Sequence, residues 1–512
     1  MIGAESLVRT LLASGVDTCF ANPGTSEMHF VAALDRARGM RCVLGLFEGV
    51  VTGAADGYGR IKGTPAATLL HCGPGLANGL ANLHNAERAN SPIVNIVGDQ
   101  ATYHAPLRPP LTTDTEGWAR PVSRWVRKVA QVQELGVAAA EAVQAARTPP
   151  FGIATLILPS DVSWNDGGVE ALALAVPVPA KIGGERLREA ARSLASGEPT
   201  VLLLGHLALS APALGHAHRI AAKTGAKLMA PTFNGRIARG VGRYPIRMVP
   251  YVVDLAVEEL AGTKHLILAG AGEPVTFFAY PGKPGIASPR DAAVHELAGA
   301  EHDLVHALAA LADELNCPPA PQLKHAKLEI ASGPMSVEGA AQTLAALLPD
   351  HAILIDEAIT LRAPFFAATA NAPPHDWLQV PGGAIGGGLP LAVGAAIAAP
   401  DRRVVVVQAD GSAMYTVQAL WSYARENLDV TTIILSNRKY AILLKELAAV
   451  GAVPGPTALG LFELDRPNLD WVGLAESQGV EAARAETLEV FVDLLRGSLT
   501  RKGPFLIELI VE

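Results

Sequence analysis

Much of what marks the commoner protein classes is missing from this chain of 512 residues. It has four cysteines, Cys19, Cys42, Cys72 and Cys317, with no CxxC pair and no Cys/His ligand spacing. Neither a disulfide framework nor a zinc site is therefore expected. No apolar run reaches the ~18 residues a membrane helix needs, so no membrane partner is expected. Charged residues make up only 18% of the chain, the net charge is −8 and no basic stripe is visible, which argues against nucleic acid as a partner. No segment has the polar, charged composition of disorder. The sequence opens directly into an amphipathic helix ("AESLVRTLLASG") without a signal peptide. A globular protein of the reducing cytoplasm is the expectation.

What is present is an alternation of helical patterns with short apolar strands. "DTCFANPG", "AATLLHCGPG", "SPIVNIVGDQ" and "FGIATLILPSDV" belong to a first block, "PTVLLLG", "AKLMAP" and "KHLILAGAG" to a second, and "AILIDE", "RRVVVVQADG", "VTTIILSN" and "PFLIELIVE" to a third. Continuous β-branched runs separated by helices mean parallel sheets covered on both faces. Two linkers, "ALALAVPVPAKIGGE" and "NCPPAPQLKHAK", divide the chain into domains at 1–170, 185–318 and 330–512. The fold class is α/β, with three doubly wound parallel-sheet domains.

One stretch raises a specific question. "GLFEGVVTGAADGYGR" places Glu48 just ahead of a helical run carrying Gly49, Gly53, Gly57 and Gly59. Each interior glycine costs a helix about 1 kcal/mol relative to alanine. Such a run implies that another backbone comes very close, and that the acid at its head is semi-buried and aimed at something. A second signal lies in "VVVVQADGSAMYTVQALWSYARENLDVTTIILSN". Read as a βαβ unit, with strands at 404–408 and 431–435 and a helix over 413–426, it brings Asp410 and Asn437 out at the same carboxyl edge. Two oxygen donors beside a Gly turn and a helix N-terminus suit a Mg²⁺ ion holding a phosphate. An ordinary Asp-Gly turn with a capping Asn would leave the same trace.

Together these segments resemble the thiamin-diphosphate-dependent family of acetolactate synthase, pyruvate decarboxylase and benzoylformate decarboxylase. "FANPGTSE", "FEGVVTGAADGYGR", "HCGPGLANGLANLHNAERANSPIVNIVGD" and "GGAIGGGLPLAVGAAIA" are in register with it over nearly the full chain. The resemblance names the three domains pyrimidine-binding, central and pyrophosphate-binding. It implies thiamin diphosphate and Mg²⁺ as cofactors, a 2-oxo acid as substrate with an aldehyde as a further acceptor, and a homodimer at least, with a homotetramer expected. It puts the catalytic glutamate at Glu48, which hydrogen-bonds N1′ of the aminopyrimidine and so promotes loss of the thiazolium C2 proton. The family site lies between the first domain of one chain and the third of its neighbour, so the glycine run is expected to admit a helix of a second subunit.

Other roles carry over by position. Ile385 matches the residue that props the cofactor into its bent shape, next to Gly383 in the same glycine loop. Asp410 and Asn437 match the metal ligands, with the Lys439 carbonyl as the third, and Gly411 and Ser412 match the pyrophosphate cradle. Thr360, in "DEAIT", falls at a strand end that meets the diphosphate. His71 aligns with an active-site histidine, and Thr25 with a serine that touches the substrate carboxylate.

The departures bear on the reaction. Ala409 replaces the first glycine of the usual Gly-Asp-Gly, and Ser436 the first asparagine of Asn-Asn. "GEPVTFFAYPGKP" has no histidine where benzoylformate decarboxylase supplies its second, and Ile442 and Glu446 are expected to line the pocket. No segment is diagnostic of FAD, which is not expected. Acetolactate-synthase-like carboligation is the first reading, and benzoylformate-type non-oxidative decarboxylation the alternative. A catalytically idle homolog is a third, against which the joint retention of Glu48, Ile385, Asp410 and Asn437 speaks.

Overall fold

The computed structural model describes residues 1–511. Three sheets organise them. The first joins β1 (Thr18–Ala21), β2 (Arg41–Leu44), β3 (Ala66–Leu70), β4 (Ile93–Asp99), β5 (Trp125–Lys128) and β6 (Ile153–Pro159) in the order β2-β1-β3-β4-β6-β5, all parallel. The second joins β7 (Thr200–Leu204), β8 (Lys227–Ala230), β10 (Arg247–Met248), β11 (His265–Ala269) and β12 (Ala293–Ala298), in the order β10-β8-β7-β11-β12. The third contains β13 (Ile353–Glu357), β14 (His375–Leu378), β15 (Val404–Ala409), β16 (Val430–Ser436), β17 (Glu481–Ala485) and β18 (Phe505–Ile510). Its order is β17-β18-β16-β15-β13-β14-β9, where β9 (Arg236–Arg239) crosses from the middle stretch and adds an antiparallel edge. The apolar runs named from sequence all form strands. The strands missed, such as β2, β9 and β17, are short, charged or exposed along part of their length.

Each sheet has an internal point from which successive strands run out to opposite sides: between β1 and β3, between β7 and β11, and between β13 and β15. Ligands of open α/β sheets bind outside the carboxyl ends at such points. His71 follows β3, and the turn Asn22-Pro23-Gly24 follows β1. Glu357 ends β13, and Asp410 follows β15.

The glycine run is answered inside the chain. The Glu48 helix (Glu48–Lys62) is buried from Glu48 to Arg60. It packs against the Gly388 helix (Gly388–Ala398) of the third sheet and the Cys72 helix (Cys72–Arg88) of the first. A Cβ on Gly53 would lie 2.5 Å from Pro390 Cβ, and one on Gly57 2.8 Å from the Leu391 carbonyl carbon. The neighbour that needs these glycines is therefore the chain's own third domain, and the expectation that a second subunit fills that role is corrected. One apolar cluster runs through this contact, from Phe20 and Val50 to Leu389, Val404 and Leu506. The segment after Asp410 also differs from the single helix expected over 413–426. It is a short turn of helix (Asp410–Ala413), a 3-10 turn (Met414–Thr416) and a helix over Ala419–Arg425. The break turns Thr416 toward the glycine loop, where its hydroxyl donates to Gly386 O at 2.7 Å.

Candidate active site

Glu48 begins its helix, after Phe47 in an extended conformation, and is buried. A carboxylate there is favoured by the positive end of the helix dipole. Asn78 Nδ2 donates to its Oε2 at 3.0 Å, while Oε1 makes no hydrogen bond among the described residues. Gly75 is the close neighbour on the facing helix, where a Cβ would come within 2.9 Å of Glu48 Oε1.

His71 stands at the carboxyl end of β3, as the residue before the Cys72 helix. Its Nδ1 lies 2.9 Å from Glu27 Oε2 and 3.2 Å from Ser26 Oγ. The Glu27 side chain is fully buried and accepts a second hydrogen bond from Gly24 N at 2.8 Å. Donation of Nδ1–H to Glu27 fixes the ring and leaves Nε2 as the free nitrogen. Glu27, His71 and Cys72 have ligand-type atoms within 4.8 Å of one another. Burial pushes the Cys72 thiol up to about 11, so it stays protonated, and we read the cluster as hydrogen-bonded support for His71. Thr25 is exposed and makes no side-chain hydrogen bond among the described residues, whereas its neighbour Ser26 meets the histidine.

On the third sheet, both Asp410 oxygens accept backbone N–H groups, Oδ1 from Gly411 at 2.8 Å and Oδ2 from Arg438 at 2.6 Å. Burial raises the Asp410 carboxyl and these N–H groups oppose the rise. Asn437 follows β16 and its Oδ1 accepts from Lys439 N at 3.2 Å, as Arg438 turns the chain at φ 57°. Ser412 is buried, and its hydroxyl donates to Ala409 O at 3.1 Å. Gly411 admits no side chain, because Tyr440 and Leu464 occupy the space a Cβ would take. Thr360 is half-buried in the 3-10 turn after β13.

The half-buried Ile385 sits in a loop fixed from several sides. Gly383 there has φ 75°. Asn85 donates to Ala384 O at 2.7 Å and accepts from Ala384 N at 3.2 Å. Glu357 accepts from Gly386 N at 2.6 Å and Gly388 N at 2.5 Å. Phe277 of the middle stretch packs on Gly383, where a Cβ would lie 2.8 Å from its ring. Glu446 is tied to the same stretch, accepting from Tyr251 Oη at 2.9 Å and Tyr280 Oη at 2.8 Å. Among the described residues no hydrogen bond or ion pair joins Glu48 or His71 directly to Asp410 or Asn437.

Two family descriptions match the chain: "Thiamine pyrophosphate enzyme, N-terminal TPP binding domain" over residues 1–119, and "Thiamine pyrophosphate enzyme, C-terminal TPP binding domain" over residues 364–509. The chain belongs to the thiamine pyrophosphate enzymes. It is 50% identical, over 100% of its length and 99% of the relative's, to a putative acetolactate synthase large subunit, IlvX, of Mycobacterium tuberculosis. It is 31% identical to benzoylformate decarboxylase of Pseudomonas aeruginosa, over 96% of each chain. Among solved structures, a thiamine diphosphate-dependent 4-hydroxybenzoylformate decarboxylase of Rhodococcus jostii superposes with a TM-score of 0.88 at 26% identity, covering 100% of this chain and 99% of the other.

The residues present fit the cofactor of a thiamine pyrophosphate enzyme. Glu48 offers an unengaged carboxylate oxygen in a buried setting. Asp410, the Asn437 amide and the Lys439 carbonyl are oxygen donors of the kind Mg²⁺ takes. A cavity of about 1090 Å³ lies elsewhere. It opens at the carboxyl ends of β7 and β11 and is lined by Arg60, Gly205, Arg236, Gly270 and Arg402. Glu48, His71, Asp410 and Asn437 do not line it, so its size says nothing about the thiamine site.

Sequence reasoning missed Glu27, Asn78, Asn85, Glu357 and Gln408 as site residues. Glu27 and Glu357 stand inside the motifs "FANPGTSE" and "DEAIT", but only the folded chain shows which groups they hold.

Proposed function

We propose that this thiamine pyrophosphate enzyme decarboxylates a 2-oxo acid and passes the acyl-carbanion unit to an aldehyde or 2-oxo acid acceptor, as an acetolactate-synthase-like carboligase. The observation that carries this reading is the placing of Phe277 against the Ile385 loop. The segment that carries this ring has no histidine, so it offers no second imidazole to protonate the carbanion and release an aldehyde. The cofactor, when bound, supplies the electron sink for decarboxylation. Glu48 holds and returns a proton at the ring nitrogen N1′, with Asn78 orienting the carboxyl group. Ile385 would brace the cofactor, with Gly383 giving the loop its turn. Asp410, Asn437 and the Lys439 carbonyl hold Mg²⁺, and Gly411, Ser412 and Thr360 meet the phosphates. His71, oriented by Glu27, presents Nε2 to the substrate, and Thr25 and Ser26 lie on the same turn.

The family resemblance puts the site between the first domain of one copy and the third of another, so a homodimer is the minimal unit in this reading and a homotetramer its expected assembly. The reaction is redox-neutral overall, so flavin is not required. Four free cysteines suit a reducing cytoplasm.

A second reading, decarboxylation of an aromatic 2-oxo acid with aldehyde release, is favoured by the cluster of Phe233, Tyr251, Phe277 and Phe278. A panel of aliphatic and aromatic 2-oxo acids, assayed for CO₂, aldehyde and acyloin, decides between them. Acyloin as the main product supports the first reading, and aldehyde from aromatic acids the second. Glu48→Gln should lower either activity by about 10²–10⁴-fold while the protein still binds cofactor. Wild-type turnover in that variant would remove Glu48 from the mechanism.

A further inference from the structure

Glu357, Gln408 and Ser412 form a chain of buried groups between the Ile385 loop and the phosphate cradle. Glu357 ends β13 and is paired in register with Gln408 on β15, at the point of the third sheet from which successive strands run out to opposite sides. Its two oxygens take the N–H groups of Gly386 and Gly388. Gln408 Nε2 donates to Ser412 Oγ at 2.7 Å. Gln408 Oε1 is buried without a hydrogen-bond partner and faces the Gly388 helix beside Glu357.

The amide has two orientations, and they differ in what Ser412 can do. In the first, Nε2 donates to Ser412 Oγ, and the serine proton, directed at Ala409 O at 3.1 Å, can rotate to a phosphate. Gln408 Oε1 then faces Glu357 and is satisfied only by a protonated carboxyl. In the second, Nε2 donates to an ionised Glu357, and Oε1 takes the Ser412 proton. The hydroxyl is then lost as a phosphate donor.

We propose that Glu357 and Gln408 are positioning residues that couple diphosphate binding at Ser412 to the uptake of one proton by Glu357. The inference rests on the assignment of Ser412 to the phosphate cradle. The proton moves from solvent to a carboxylate oxygen of Glu357, the amide of Gln408 turns over, and no covalent bond other than O–H changes. Burial holds the Glu357 carboxyl near 7, against the pull of the Gly386 and Gly388 N–H groups and the Gln408 amide. The charge that raises it further is Asp356, the adjacent residue, which faces Arg362 at 3.9 Å. The loop and β15 present only N–H groups and an amide to Glu357. The same carboxyl holds the loop that carries Ile385, so cofactor brace and phosphate donor respond to one proton.

The test is calorimetric titration of the full chain with thiamine pyrophosphate and MgCl₂ from pH 6 to 8.5, in two buffers of different ionisation enthalpy. Wild type should take up protons in excess of Gln408→Leu and Glu357→Gln, and its affinity should fall toward tenfold per pH unit above about pH 7 relative to theirs. Gln408→Leu keeps Glu357 and its glycine contacts, so it separates the relay from the clamp. Ser412→Ala should also lose the excess uptake. Equal uptake in wild type and Gln408→Leu, with intact binding, would overturn the relay and leave the cofactor assignment standing. No binding of the cofactor at any pH would overturn both.

Discussion

Gly394→Ala is the sharpest test of how the Glu48 helix is held. Gly394 lies in the Gly388 helix against Ala54 and Tyr58. A Cβ there falls 2.5 Å from Tyr58 N and closer still to Ala54 O. Both atoms are backbone of a buried helix, so no rotamer change relieves the clash. Restoring an ordinary separation of about 3.5 Å from Ala54 O requires the helices to part by about 2 Å, which forfeits at least half of each van der Waals contact along the seam. Overpacking of this kind costs about 1–3 kcal/mol, and a backbone neighbour on both sides puts this site at the upper end. Alanine returns about 1 kcal/mol through its helix propensity, leaving a net loss of about 2 kcal/mol. Gly215→Ala is the control. It sits in the helix Ala211–Thr224 with nothing within 4 Å of its Cβ position, and should stabilise by up to about 1 kcal/mol. Thermal unfolding should therefore move in opposite directions for two identical substitutions, by roughly 2–4 °C per kcal/mol. Because the parted helices carry Glu48 and follow the Ile385 loop, cofactor affinity should fall in Gly394→Ala alone. A Gly394→Ala protein as stable as wild type would refute the argument that this contact dictates the glycines.

Asp410→Ala should abolish Mg²⁺-dependent cofactor binding, since the donor set loses its only carboxylate; affinity unchanged by the substitution, or by a chelator in wild type, would count against the metal assignment. His71→Ala should shift the ratio of aldehyde to acyloin from the best 2-oxo acid toward acyloin, and Glu27→Gln should reproduce part of that shift; a ratio fixed in both, with rates intact, would make His71 structural. The buried Glu357 carboxyl is raised from 4.5 to about 7 in the folded chain. The folded state thus binds the extra proton, and the contribution is full below about pH 4.5 and lost as pH rises through 7. The loss amounts to about 3 kcal/mol at most. Denaturation of the cofactor-free protein between pH 5 and 8 should show this slope in wild type and not in Glu357→Gln.

The sequence by itself determined the class of fold and named the candidate site groups. Runs such as "VVVVQA" and "IATLIL" can be buried only in parallel sheets covered on both faces, and an Asp and an Asn at the ends of adjacent strands must emerge at one edge. The glycines before and after Tyr58 announced a close backbone contact, because nothing else offsets their cost in a helix. Which backbone came close was decided only by tertiary packing. The partner is Pro390 and Leu391, more than 300 residues away in the chain, and local pattern carries no record of so distant a neighbour. The same holds for Glu27 under His71 and for Glu357 under the Ile385 loop. Each reads as an ordinary acid after a strand or turn, and becomes a site residue only when the fold removes water and leaves a ring nitrogen or two glycine N–H groups as its partners. Burial is a property of the whole assembly of helices and sheets, so the groups whose role depends on it could be read only there.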